Sequence, residues 1–533
     1  MKVYDMYARF IRWASDRLNK NGVIAFVSNN SFVDARTYDG FRKVVADEFN
    51  EIHIVDMKGN ARTSGERRRR EGGNVFSDEI RVGVAVYFLV RKEGAEGCKI
   101  FYNCIDDYAR AEVKKAYLRD HKFKDLIFDP IHPDENHNWI NLADNDFASL
   151  FPLVSGGGMK LGKSERLGEK ALFDLFSFGV VTNRDEWVYD FSEDDLSKKV
   201  NFLIDKYNSE RTRLAGTDFD DDDLSPEIKW TQDLKRFLRQ NIALGYEQES
   251  IRESIYRPFV KSTLYLNKFL NWSHYKIPHI FPGVDSSNLV IMVGGYNRKQ
   301  FSVLVSDSIP NLNFYGDPAQ CLPLYRYNSL GQPVENITDY GLKEFRVQYT
   351  SPDVDQPQIS KRDIFHYVYA VLHHPAYRET YENNLKREFP RIPFYDDFWQ
   401  WAGWGRQLMA LHLNYETAPP YALERIERDP SNSRTAYKSK LRAVKDQGVI
   451  ELDNLTSLAG IPPEAWTYRL GNRSALEWIL DRYKERKPKD PTIREKFNTY
   501  QFLDYKEEVV DLLQRVCTVS VETMKIVDVM KES

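Results

Sequence analysis

Apolar positions Tyr4, Tyr7, Phe10, Ile11, Ala14 and Leu18 recur at three- and four-residue spacing, which gives the first helix one apolar face, and Asn21-Gly22 supplies its stop. The run Val23 to Val27 that follows is continuously apolar, the pattern of a strand covered on both faces. Phe41 to Phe49 returns to helical spacing and leads into the short strand IHIVDM, residues 52–57. Two further strand-like runs come next, VGVAVYFLVRK and KIFYNC, separated by the turn-like EGAEG. This alternation predicts an α/β half-domain over residues 1–120, the distal half of a nucleotide-binding domain. Such a domain builds its cofactor site from a first strand, a Gly-rich turn and a later acidic residue. Here those parts would have to precede Met1, so the expectation is a portion of a larger protein.

Beyond that point the pattern loosens. Residues 121–165 are rich in Asp, Asn, Pro and Gly, as in DPIHPDENHNW and VSGGG, and read as a connection. Residues 166–350 mix elements, with the strand-like LVIMVGG and FSVLVSD inside Asn288 to Asp317 predicting a β-containing module. Residues 351–533 read as mainly helical, with Ile364 to Asn384, Phe398 to Glu416 and Asn472 to Lys484 as helices. The expected fold class is an α/β half-domain followed by a mixed α+β, largely helical C-terminal region.

At 533 residues the chain has room for two to four cores and needs no covalent staples. Lys plus Arg number 75 against 79 Asp plus Glu, a formal charge of −4, so any polyanion site must be a local patch rather than a global excess. Cys98, Cys104, Cys321 and Cys517 are scattered without CxxC or zinc spacing, which predicts reduced thiols in a cytoplasmic protein and no metal. No apolar stretch approaches the roughly 18 residues that span a bilayer, so no membrane association is expected.

The densest positive patch is RTSGERRRREGGNVF, where Arg62, Arg67, Arg68, Arg69 and Arg70 fall within nine residues beside glycines. Each phosphate such groups meet releases counterions and adds salt-sensitive affinity, which makes them candidate DNA-binding residues; the competing reading is a solvated loop. Gly157 to Ser164, GGMKLGKS, satisfies the P-loop pattern and would make Lys163 a phosphate ligand and Ser164 a magnesium ligand. FPLVS before it is a poor buried strand, so a P-loop nucleotide-binding protein is the alternative rather than the main reading. The run Asp218, Asp220 to Asp223 lacks the spacing of a calcium loop and reads as solvated. His366, His373 and His374 lie among aromatics on one helix and read as structural.

Longer blocks carry a resemblance. The start, KVYDMYARFIRWASDRLNKNGVIAFVSNNSF, with GNARTSGERRRREGGNVF and VGVAVYFLVRK behind it, resembles the distal half of the adenine-N6 methyltransferase domain of Type ISP restriction-modification enzymes. GVVTNRDEWVYDF, SIYRPFVKSTLYLN, DIFHYVYAVLHHPAYRETYENNLKREFPRIPFY, GRQLMALHLNYE, YRLGNRSALEWILDRY and TVSVETMKIV are similar, in the same order, to the specificity region that follows it. The resemblance implies an incomplete Rossmann-like methyltransferase over 1–120 and a target recognition domain over 166–350 and 351–533. It implies double-stranded DNA as partner, S-adenosylmethionine as cofactor of the intact enzyme with none bound by this chain alone, and a nuclease-ATPase-methyltransferase portion supplied elsewhere, as a separate chain in one reading. It also implies that Phe76 stacks on a flipped adenine, against the alternative of a core Phe at a strand start. Pro419-Pro420-Tyr421 is similar to the [NDS]PP[YF] motif of amino-methyltransferases, but Ala418 offers no side-chain acceptor and the tripeptide reads as a decoy. Methylation by this chain alone is therefore not expected.

Overall fold

The computed structural model describes residues 5–60, 73–77, 79–106, 108–134, 137–140, 145–155, 170–294, 300–349, 357–428 and 437–532. The chain divides into two compact units, Met1–Asn145 and Asp146–Ser533, each a mixture of helices and sheet.

In the first unit, α1 (Met6–Ser15), α2 (Asp39–Glu48) and α3 (Ala111–Asp120) accompany a sheet of β1 (Gly22–Asn29), β2 (Glu51–Asp56), β3 (Val84–Arg91), β4 (Lys99–Cys104) and β5 (Asp129–Ile131). The strand order is β1-β3-β2-β4-β5. β3 runs antiparallel to both β1 and β2, so those two run in one direction with a reversed strand between them, while β2 and β4 are parallel. The period of two puts Ile52 and Ile54 of β2 and Ala85, Tyr87 and Leu89 of β3 on one face, where Ala8 and Ile11 of α1 and Val45 of α2 cover them. Each fully buried aliphatic side chain of this kind contributes roughly 1.5–3 kcal/mol.

Two expectations change here. β1 is not covered on both faces: among the described residues it pairs with β3 alone, and Val23 and Val27 are 58% and 53% exposed. Within residues 121–165, expected to be a connection with at most short elements, the three-residue β5 joins the sheet and Trp139 is buried against Phe32. The buried Arg42 guanidinium explains the attachment, because it donates to the carbonyls of Phe32, Ala35 and His137 and to Asn138 Oδ1. Charged groups this deep need such acceptors, and the Asn- and Pro-rich segment provides two of them.

The second unit is organised by α4 (Glu193–Arg213), the hairpin β6 (Ile251–Arg257) and β7 (Val260–Tyr265), and an antiparallel sheet of β8 (Val290–Gly294), β9 (Ser302–Ser306) and β10 (Gln320–Pro323). The sheet strands are buried on both faces, as their unbroken apolar runs require. Val290, Met292, Leu304 and Cys321 face one core, and Ile291, Val293, Val303, Val305 and Leu322 face another. The second core is closed by α5 (Lys361–His373) and α6 (Phe398–Leu413), so residues on either side of 350 share one packing unit.

α5 stops eleven residues before the predicted end. Pro375 lacks an N–H, and it holds His374 extended at ψ 122°, so the helix restarts as Pro375–Thr380. The expected mainly helical third also carries a four-stranded antiparallel sheet of β11 (Glu424–Glu427), β12 (Ser439–Val444), β13 (Val449–Asp453) and β14 (Thr456–Ala459). α7 (Ala475–Tyr483) and the long α8 (Phe502–Met530) complete the unit. None of the helices among the described residues is long and apolar enough to cross a membrane.

Candidate nucleic-acid interface

Ligands of open α/β sheets bind beyond the carboxyl ends of the parallel strands, and in the first unit that edge is where β1 and β2 end, on either side of the start of β3. The strands deliver Asn29-Asn30 and Asp56 there. Asp56 is buried and accepts hydrogen bonds from Asn30 Nδ2 and the Lys58 amide at 2.9 Å on Oδ1, and from the Tyr102 hydroxyl at 2.9 Å on Oδ2. Lys58 Nζ stands 3.9 Å from Oδ2. Burial, then the Asp56 charge, raises the Tyr102 phenol far above its ordinary value, so it remains a donor. The backbone turns away at once: Lys58 and Gly59 take left-handed φ of 53° and 90°. Across the strand ends, Asn30 N donates to Gly83 O, and a Cβ at Gly83 would meet Asn30 Oδ1 at 2.5 Å, so the return of the loop needs glycine.

The loop between β2 and β3 carries the residues singled out in the sequence. Lys114 Nζ donates to Gly73 O at 2.8 Å, and Asn74 donates through Nδ2 to Val82 O at 2.9 Å while its Oδ1 accepts the Phe76 amide at 3.1 Å. Asn74 is buried, whereas Phe76 is 54% exposed and lies eight residues before β3 starts. The competing reading of Phe76 as a core residue at a strand start is thereby corrected: it is an exposed aromatic on a fixed turn. Arg62, Arg67, Arg68, Arg69 and Arg70 fall between β2 and β3 in the sequence and lie outside the described residues. The Asp56 cluster was not foreseen. Its one sequence signal is that polar residues end two otherwise apolar strand runs.

Other candidates resolve differently. Gly157 to Ser164 lies outside the described residues; the strand before it is the two-residue Phe151–Pro152, and no helix starts within 170–178. Basic groups of the second unit are engaged within the protein: Arg257 donates to Asn311 and lies 4.0 Å over the Tyr256 ring, Lys261 pairs with Glu253 and Glu416, Lys440 with Glu451 and Lys445 with Glu477. Asp221 of the acid run pairs with Lys235, and among the described residues no His/Cys/Asp/Glu group is arranged to hold a metal. His373 and His374 bond to Tyr369 O and the Tyr395 hydroxyl. Pro419 and Pro420 follow the turn after α6, where Ala418 O accepts from Arg515.

An α/β unit with an aromatic at its strand ends, followed by a larger mixed unit with two cores, is the class of architecture these residues define. The model of the Type ISP C-terminal specificity domain matches residues 171–512, and the chain belongs to that family. Among solved structures it is similar to the DrdV–DNA complex, with 50% identity and a TM-score of 0.89, over 98% of this chain and 52% of that one. It is also similar to a nuclease-deletion mutant of the Type ISP restriction-modification enzyme LlaGI in complex with a DNA substrate mimic, with 33% identity and a TM-score of 0.84, over 98% and 48% of the two chains. The ATP-dependent Type ISP enzyme LlaBIII bound to DNA shares 27% identity at a TM-score of 0.82, over 98% and 34%. The chain thus spans about half the length of the first two and a third of the last. A comparison with curated proteins gave no match.

Proposed function

We propose that this chain is the DNA-reading part of a Type ISP restriction-modification enzyme, with its first unit the distal half of the adenine-N6 methyltransferase domain. The observation that carries the reading is the alignment of 98% of the chain, at 50% identity, with a protein solved on DNA. Phosphate contacts from Lys and Arg fix register on the duplex, and polar side chains in the major groove read the bases. Phe76 is the residue assigned to a flipped adenine; its exposure and the Asn74 turn beneath it support that role. The five arginines, Arg62 and Arg67 to Arg70, are assigned to the phosphates beside it.

S-adenosylmethionine is the donor that the intact enzyme would use, supplying the methyl group. The cleft of about 500 Å³ in the first unit lies between α1 and α2, walled by Phe41, Val44 and Val45. Its carboxylate, Glu48, is held by Arg12, Ser15 and Arg91, so no acidic group is left for ribose hydroxyls. The cleft does not fit the cofactor, and no step of methyl transfer is derived from these residues. We assign the donor site to a nuclease-ATPase-methyltransferase portion on another segment or a separate chain. The one-sided pairing of β1, with Phe10 and Trp13 of α1 and Val23 and Val27 exposed nearby in sequence, supports a surface for it.

The test is duplex binding by the 533-residue chain over a salt series, with methyl transfer assayed in parallel. Steep salt dependence without methylation is the expected result. Absence of duplex binding, or robust methylation by the purified chain, overturns the reading.

A further inference from the structure

The second unit holds a cleft of about 560 Å³ whose lining includes Thr182, Arg184, Asp185, Lys229, Asn313 and Lys489. Arg184 is 2% exposed. Its Nη2 donates to Thr231 Oγ1, but Nε and Nη1 have no partner. The acid acting on it through space, Asp233, is itself paired with Arg236 at 2.9 Å. Burial pushes the guanidinium down to about 10, so it is still a cation at neutral pH. A buried charge without a partner is costly, and proteins that keep one commonly use it.

The acids around the cleft do not answer that charge. The Asp185 carboxylate accepts the hydroxyls of Thr182 and Tyr256. Glu186 accepts the amides of Lys489 and Asp490, at 3.0 and 2.9 Å. Asp490 accepts Trp187 Nε1 at 2.8 Å and the amides of Thr492 and Ile493. By contrast, Lys229 and Lys489 are exposed and in no ion pair among the described residues. Asn183, at the turn that carries Arg184, takes a left-handed φ of 57°, a conformation non-Gly residues adopt rarely outside functional or turn positions. The three carboxylates are each engaged by donors of the protein, while two nitrogens of Arg184 lack a partner and Lys229 and Lys489 are unpaired among the described residues, so the complementary ligand is an anion rich in acceptors.

We propose that this cleft takes a backbone phosphate of the DNA duplex, met at the rim by Lys229 and Lys489 and held by the fixed charge of Arg184 beneath the floor. The proposal rests on the DNA-reading function and adds to it a register-fixing contact, independent of sequence, built from the TNRD turn, residues 182–185.

The test uses the full chain with a Lys229→Ala/Lys489→Ala double variant, whose exposed positions leave folding intact, and with Arg184→Met and Arg184→Lys. Loss of one phosphate contact lowers the slope of log affinity against log salt by about 1. The double variant should show that loss equally on unrelated duplexes, and Arg184→Lys should restore more affinity than Arg184→Met. Replacing single phosphates with methylphosphonate should reproduce the loss at one position on the wild type and add nothing on the double variant. An unchanged slope in a folded double variant that still binds DNA overturns this proposal and leaves the wider reading standing. Absence of duplex binding by the wild type overturns both. If inorganic phosphate at constant ionic strength raises the Tm of the wild type but not of the double variant, while the DNA slopes agree, the cleft is a free-phosphate site and the duplex assignment fails.

Discussion

Asn30, just after β1, and Asp56, the last residue of β2, stand 26 residues apart in sequence and are joined by a buried 2.9 Å hydrogen bond from Asn30 Nδ2 to Asp56 Oδ1. β3 lies between those strands, so the bond bridges over the place where the β2–β3 loop returns to the sheet. The loop that holds Phe76 therefore starts and finishes on one polar anchor, which Tyr102 and the Lys58 amide complete.

That anchor sets a stability difference. Tyr102→Phe removes one donor to a buried carboxylate and should cost about 1.5–3 kcal/mol, the range for hydrogen bonds to charged groups. Asp56→Ala leaves three donors unmatched and should cost more. Urea unfolding gives the magnitude, and hydrogen exchange should localise the loss to the amides of β1, β2 and the start of the loop. Protection unchanged at those amides would mean that the anchor does not hold the loop.

Phe76→Ala should separate binding from stability. The side chain is more than half exposed, so stability should stay within about 0.5 kcal/mol. Stacking on a nucleobase is worth about 1–3 kcal/mol, so the preference for a duplex with one unpaired adenine over its fully paired counterpart should fall by that amount. Fluorescence anisotropy with the two duplexes reads the difference. An equal loss on both would make Phe76 a general contact rather than a base platform.

The strand runs were legible because period and burial agree: Ile52, Ile54 and the apolar run of β8 meet the faces their spacing predicts. α6 was legible for the same reason, whereas in the first helix Ile11 meets the core but Phe10, expected on the same apolar face, is exposed. Residues 121–145 misled because their Asn, Pro and Asp content is that of a loop, whereas Asn138 and the His137 carbonyl serve as acceptors for an arginine about 95 residues earlier. The roles of Asp56 and Arg184 were not legible. A lone polar residue after an apolar run has no meaning until a distant strand or helix is brought beside it, and no local period encodes that. The sheet β11 to β14 was missed because its strands are short and highly charged on the exposed face, as ERIE illustrates.

Two glycines of α6 should respond to the same change with opposite sign. A Cβ at Gly405 would lie 1.8 Å from the His366 carbonyl oxygen of α5, so Gly405→Ala forces the helices apart and should destabilise by about 1–3 kcal/mol or more. Gly403, two residues earlier, has nothing within 4 Å of its Cβ position, and Gly403→Ala should stabilise by about 0.5–1 kcal/mol by restricting the unfolded chain. Thermal unfolding of the two variants against wild type is the check, and a common sign would contradict the packing described for α5 and α6.

Acid should unfold the second unit through His412. Its Nδ1 is 2.6 Å from the Tyr369 hydroxyl, and its Nε2 is 2.9 and 3.1 Å from those of Thr523 and Tyr468, with the ring fully buried. Burial pushes its pKa down to about 3, and His373 is likewise held well below its ordinary value by burial and by Arg378 and His412. In the unfolded chain an imidazole takes up its proton near pH 6.5. The folded state binds fewer protons than the unfolded state below that pH, so stability is complete above about pH 6.5 and falls as the pH drops, down to about pH 3. His412 alone should contribute a slope of about 1.4 kcal/mol per pH unit between pH 6 and 4. His412→Gln, which cannot titrate, should be less stable at pH 8 but should flatten the slope by about that amount. Urea unfolding at a series of pH values measures both effects; parallel curves for wild type and variant would show that His412 is not the proton-linked group.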